Sequence, residues 1–170
     1  MTAVRRGSEG DLERLAEIKV RNWHDSYGPL IPPDVLQPFL DRESQVAYLR
    51  ESSAGADAIL LVAEDEPGGV IGFALTYLDH DPDAWLESLH VHPDFQSRGA
   101  GSMLMRATAR EVRTRGGNSL CLGVVEGNAP AERFYERLGG IDAGREPVSW
   151  AKGVIHHIYR WPDLGELAQP

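Results

Sequence analysis

Leu86-Glu87-Ser88-Leu89-His90-Val91-His92-Pro93-Asp94-Phe95-Gln96-Ser97-Arg98-Gly99-Ala100-Gly101-Ser102 is the stretch on which the reading of this chain turns. A strand over Trp85–His92 stops at Pro93, and a loop punctuated by Gly99 and Gly101 enters a segment of helical periodicity, Ser102–Arg115. The physical sense of that order is anion binding. Glycines let the backbone approach a ligand closely. The first amides of a helix have no internal partner, and the helix dipole favours negative charge there. Arg98 or Arg106 could add positive charge. A glycine pair before a helix is equally a tight turn, so the loop alone decides nothing. There is no Gly-Lys-Ser/Thr ending and no three-glycine dinucleotide fingerprint, which excludes two other phosphate loops.

Outward toward the C-terminus, Ser119–Val125 reads as a strand and Ala129–Leu138 as a helix ended by Gly139-Gly140. Val148–Trp150 and Val154–Trp161 are expected to be a closing pair of strands. Toward the N-terminus, Ser8 and Asp11 resemble a weak capping box opening a helix over Glu9–His24. Pro33 and Asp34 open a short helix, and Arg42–Glu51 is a third. The apolar run Ala58–Ala63 is a buried strand that turns at Pro67-Gly68-Gly69 and returns over Val70–Leu78. Helices, antiparallel strands, then alternating strands and helices imply a mixed sheet with helices packed on it, an α/β (α+β) sandwich.

About thirty residues beyond the loop lies Asn128-Ala129-Pro130-Ala131-Glu132-Arg133-Phe134-Tyr135-Glu136-Arg137-Leu138-Gly139. With it the chain resembles the GNAT N-acetyltransferase superfamily. Gln96-x-x-Gly99-x-Gly101 is similar to that family's pyrophosphate loop. Asn128, Ala131, Phe134, Tyr135 and Gly139 are similar to its Asn-x-x-Ala-x-x-Phe-Tyr-x-x-x-Gly helix, and Leu89-x-Val91-x-Pro93 fits its strand. The resemblance covers the chain from about Val4 to Leu164, so one N-acetyltransferase domain is expected over 1–170.

That resemblance implies a GNAT-like, mainly antiparallel central sheet, flanked by helices, in which Trp85–His92 and Ser119–Val125 splay apart. It implies acetyl-CoA as co-substrate, its pantetheine arm in the splay against the backbone of Leu89, His90 and Val91 and against Asn128. The pyrophosphate would lie over Gln96, Ser97, Arg98, Gly99, Ala100, Gly101 and Ser102. It implies transfer of an acetyl group to a primary amine by direct attack, with a backbone amide near His90 or Val91 meeting the developing oxyanion. Tyr135 would contact the pantetheine arm and serve the leaving thiolate, chiefly as a hydrogen-bond donor; aromatic packing beside Phe134 is the alternative.

Glu87 is the first candidate for the general base, with a surface carboxylate beside a cross-strand cation as the plainer reading. In regular pairing it shares a face with Leu89 and Val91, opposite His90 and His92, unless a bulge changes the phase. The next strand offers Gly123 and Val125, with Glu126 just beyond. Trp23 and Tyr27, four apart at the end of the first helix, are candidate walls of the acceptor pocket or core residues. A non-catalytic acyl-CoA-binding or sensing module, or an enzyme acting on aminoacyl-tRNA, would use the same motifs.

The whole chain sets the outer limits. Its 170 residues, 42% apolar and 25% charged, are ordinary for a globular protein. With 17 Lys+Arg against 26 Asp+Glu the formal charge is −9, which disfavours nucleic acid and anionic membrane as partners and favours a cationic amine, small or on a protein. Cys121 stands alone, so neither an internal disulfide nor a multi-thiolate metal site is expected; it reads as a core residue. His156 and His157 are neighbours on a strand and face opposite ways, so no metal is expected there either. The absence of an apolar leader or long apolar run makes a cytoplasmic location the expectation. The family often forms dimers, so a homodimer is compatible with the resemblance.

Overall fold

The computed structural model describes residues 1–66 and 69–170; Pro67 and Gly68, two of the three expected turn residues, lie outside them. Seven strands form one sheet in the order β1-β2-β3-β4-β5-β7-β6. They are β1 (Thr2–Arg6), β2 (Ala58–Asp65), β3 (Gly69–Tyr77), β4 (Ala84–Val91), β5 (Leu120–Val125), β6 (Ile141–Pro147) and β7 (Ile155–Trp161). The helices are α1 (Leu12–Tyr27), α2 (Pro33–Leu36), α3 (Arg42–Ser53), α4 (Ala100–Thr114) and α5 (Ala129–Arg137). All neighbouring strands pair antiparallel except β4 and β5, which run parallel. This is the mixed sheet flanked by helices that the element order implied, and it is mainly antiparallel, as the resemblance implied.

Both faces of the sheet are covered, and the continuous apolar run of β2 is the reason it can be. Ile59, Leu61 and Ala63 pack with Leu104, Met105 and Val112 of α4, while Leu60 and Val62 alternate to the other face against Leu12, Leu15 and Ile18 of α1 and Leu49 of α3. Period two in a strand buried on both sides gives this two-sided core. Full burial of a side chain such as Leu15 or Leu104 contributes roughly 1.5–3 kcal/mol.

Some expectations need correction. Helix α1 begins at Leu12, after a single 3-10 turn over Glu9–Asp11, and runs past His24 to Tyr27. Asp11 accepts from both the amide and the hydroxyl of Ser8, at 2.7 and 2.8 Å, which holds that turn. The strand closing against β7 is Ile141–Pro147, not Val148–Trp150. All of β6 is exposed, so it carries no apolar alternation to read. Val148 and Trp150 are apolar for another reason: they pack in a cluster with Trp23, Tyr27, Val35 and Leu40. Strand β1 was not anticipated, because it is a short edge strand bearing Arg5 and Arg6.

Two irregularities position the site. Strands β4 and β5 pair only at Ala84 with Leu120 and Trp85 with Cys121; beyond that they diverge. In the β3–β4 ladder Leu75 faces Ser88 and Thr76 faces Leu86, so Glu87 is the extra residue of a bulge.

Candidate functional site

Two cavities open in and beside the splay. The first, of about 680 Å³, runs from the turn after β4 to α5. Leu89, His90, Val91, Gln96, Ser97, Gly99, Gly101, Ser102, Asn128 and Tyr135 all line it. The second, of about 620 Å³, lies between α1, α3, β4 and the β6–β7 region, and Trp23, Tyr27 and Glu87 line it. Tyr27, Leu89, His90, Gly123 and Tyr135 line both. The two spaces therefore meet at those five residues.

The first cavity is built to take an anion at one end. Gly99 caps α4 with φ 88, a left-handed conformation that glycine adopts without penalty, and Ser97 before it has φ 61. The first helical bond runs from the Met103 amide to Gly99 O at 3.0 Å. Among the described residues the amides of Ser97 through Ser102 have no main-chain acceptor. Gly101 has a second reason to lack a side chain: a Cβ there would lie 3.2 Å from the Phe134 ring. Arg133 and Arg137 of α5 face this cavity; Arg98 and Ala100 do not line it. The Arg98 guanidinium sits 5.4 Å from the Phe95 ring centroid, and Ala100 is buried against the core.

Further in, the edge of β4 is free of β5. Val91 O is taken by two side-chain amides, Asn22 Nδ2 at 2.9 Å and Gln96 Nε2 at 3.0 Å, while Leu89 and His90 remain open to the cavity. Unpaired amides at a phosphate-sized turn, a free strand edge and two arginines opposite fit an elongated, phosphorylated thiol such as coenzyme A, or its thioester.

At the junction the Tyr135 ring packs 5.1 Å from Phe134 and 6.1 Å from Trp161, and its hydroxyl has no hydrogen-bond partner among the described residues. Burial first, and then Tyr27, push that hydroxyl well above the usual phenol range. Tyr27 is itself pushed up to about 12 by burial. His90 is driven down to about 3, by burial and then by the Lys19 cation, so its imidazole is neutral. At Gly123 a Cβ would lie 2.2 Å from His156 Nδ1; the missing side chain is the space the histidine occupies. Burial lowers the pKa of His156 as well.

The bulge overturns the expected facing of Glu87. Two consecutive residues, Glu87 and Ser88, stand opposite one, so the alternation shifts and Glu87 joins His90 on the α1/α3 side, away from Leu89 and Val91. There Glu87 Oε1 accepts from Tyr48 Oη and Oε2 from Trp85 Nε1, each at 2.7 Å. His92 is buried; its Nδ1 accepts from the Asp94 amide and its Nε2 meets Arg21 at 3.3 Å, a packing role. Glu126 pairs with Arg145 at 2.9 Å and lines neither cavity. Cys121 is buried in β5, its thiol raised to about 11 by burial.

The site also holds residues the sequence reading passed over. Lys19 lies one turn before Trp23 and two before Tyr27 on the same face of α1, but a lysine at that spacing reads as part of a solvated face. Tyr48 and Trp150 come from distant segments and no local pattern marks them, while His156, read from the sequence only as no metal ligand, enters the cavity from β7. His156 and His157 do face opposite ways: His157 leaves the cavity to meet Glu132 at 2.9 Å and Asp142 at 3.1 Å. Among the described residues no cluster suited to a metal ion occurs, and no helix is long and apolar enough to cross a membrane.

Residues 15–140 match the model of the acetyltransferase (GNAT) family. An uncharacterized N-acetyltransferase of Bacillus subtilis, YuaI, is 27% identical over 98% of this chain and 96% of its own length. The [ribosomal protein bS18]-alanine N-acetyltransferase of Salmonella typhimurium is 42% identical over 46% of this chain and 51% of its own. The structure of the PaiA N-acetyltransferase of Thermoplasma acidophilum in complex with coenzyme A superposes with a TM-score of 0.76 at 20% identity, covering 94% of this chain and 98% of that one.

Proposed function

The chain belongs to the acetyltransferase (GNAT) family, and from that premise we propose that it transfers an acetyl group from acetyl-CoA to the primary amine of a small acceptor held in the aromatic cavity. One observation carries the proposal: a cavity fit for coenzyme A and a second, separately walled cavity meet at Tyr27, Leu89, His90, Gly123 and Tyr135. Acetyl-CoA supplies an activated acetyl thioester. The residues of the chain supply the rest.

The amides of Ser97 through Ser102, with Arg133 and Arg137, would hold the phosphates, and Leu89, His90 and Asn128 the pantetheine arm. The open backbone near His90 offers a preorganised donor where negative charge develops on the carbonyl oxygen. An alkylamine is only roughly one part in 10³ neutral at pH 7, a handicap of about 4–5 kcal/mol. Glu87, at the wall of the acceptor cavity and anchored by Tyr48 and Trp85, takes that proton, directly or through a water. Tyr135 keeps its own proton because burial raises its pKa, which suits a hydroxyl that donates a hydrogen bond to the departing sulfur. Direct attack is favoured over a cysteinyl intermediate, since Cys121 lines neither cavity.

Thiol release from acetyl-CoA across an amine library, beside calorimetry with coenzyme A, tests the reading. Saturable binding with amine-dependent release is expected. Binding without release with any amine points to an acyl-CoA-binding module instead, and no saturation at millimolar coenzyme A removes the enzyme reading.

A further inference from the structure

Lys19 is an unusual wall for an amine pocket. It is 5% exposed, yet its ammonium makes no hydrogen bond or ion pair among the described residues. Its Nζ lies 4.0 Å from the Tyr48 ring centroid and 5.3 Å from that of Trp23, so only aromatic faces meet the charge. Glu87 is the carboxylate whose field reaches it, but both Glu87 oxygens already hold other donors, Tyr48 Oη and Trp85 Nε1. The ammonium is not sealed off but opens to the cavity, where its three N–H donors meet no acceptor from the described residues and are left for whatever fills that space.

From this geometry we infer that the acceptor is an amine that also carries a carboxylate, an amino-acid-type molecule whose anionic end is held by Lys19. The inference rests on the reading of this cavity as the acceptor site. The charge pattern of the walls suits a zwitterion. Lys19 stands on the α1 wall, while Glu146 and neutral His156 stand across from it. Between them Trp23, Phe39 and Trp150 form a mutual cluster with ring centroids 5.1–5.4 Å apart, a surface for an apolar body. His90, which lines both cavities, feels the Lys19 charge, so the anion site and the transfer junction share one wall. Lys19 is pulled down to about 8, chiefly by burial, with Glu87 opposing. At pH 7 the protonated form still predominates by roughly tenfold, which suits an anion receptor better than a base.

The test is a panel of α- to ε-amino acids, each beside its own carboxamide, as acceptors for wild type, Lys19→Met and Lys19→Arg. For wild type the free acid is expected to exceed its carboxamide in kcat/KM by at least about tenfold, mostly through KM. Lys19→Met is expected to abolish that preference while the KM for acetyl-CoA stays unchanged, and Lys19→Arg to keep part of it. Equal use of acid and amide by wild type, or an equal loss for both in Lys19→Met, overturns the inference. Binding read without turnover separates this from the proposed reaction. N-acetyl amino acids, followed by quenching of the cavity tryptophans, are expected to bind wild type but not Lys19→Met, and equal affinities overturn the inference. If they bind selectively yet no amine releases coenzyme A, the anion site stands and the transfer reaction falls.

Discussion

Tyr135 illustrates how one side chain can belong to the core and to the chemistry at once. Its ring is held by Phe134, Tyr159 and Trp161, while its hydroxyl is left without a partner where the two cavities join. The ring contacts survive in Tyr135→Phe, and only the hydroxyl is lost. That variant is expected to lose about tenfold or more in kcat, close to the value of one hydrogen bond formed in the transition state. Coenzyme A affinity, measured by calorimetry, should hardly change; an unchanged kcat would take Tyr135 out of the mechanism. The motif containing Tyr135 is plain in the sequence. Lys19 is not, because a lysine at helical spacing ordinarily belongs to a solvated face, and only the folded neighbours reveal that it is buried.

Among elements, the turn between β4 and α4 does most to define the site. Its amides are free because Gly99 holds φ 88 and starts the helix late, with Met103 making the first helical bond. A Cβ at Gly99 meets nothing within 4 Å, so an alanine there fits in space but not in conformation. Gly99→Ala is therefore expected to cost about 1 kcal/mol of stability. The relaxed turn should also bind coenzyme A about fivefold more weakly. Melting curves and calorimetry check both, and undiminished affinity would mean that the amides do not carry the phosphates. Strand β4 is the other defining element. Its bulge at Glu87 was not readable, because a bulge depends on the register of the partner strand rather than on the residues that form it.

Across the whole molecule, two carboxylate pairs hold elements together, one local and one between segments far apart in sequence. Asp11 meets Arg5 of β1 at 2.9 Å through both oxygens, and Asp83 before β4 meets Arg160 of β7 at 2.8 Å through both. Arg5 chiefly, against the opposing effect of burial, lowers Asp11 to about 2, and Arg160 lowers Asp83. A carboxylate whose folded pKa is depressed stabilises the fold above its unfolded value and loses that contribution as pH falls through the folded one. Urea unfolding should therefore show stability falling between pH values of about 4 and 2. Asp11 accounts for at most about 2 kcal/mol of the fall, less what solvent around Arg5 screens. Asp11→Asn should flatten that limb, and an unaltered slope would assign the acid loss elsewhere.

The amino-acid sequence by itself determined the alternation of strands and helices, the glycine turn with its following helix, the Asn128–Gly139 helix and, through their resemblance, the family. Those features are local, since periodicity, proline and glycine act within a few residues of themselves. Only the tertiary structure decided which face Glu87 takes, that Ile141–Pro147 rather than Val148–Trp150 closes the sheet, and that Lys19, Tyr48, Trp150 and His156 share a cavity. Pairing register and the burial of a charge are set by chain segments far apart in sequence, and no short window of residues contains both partners.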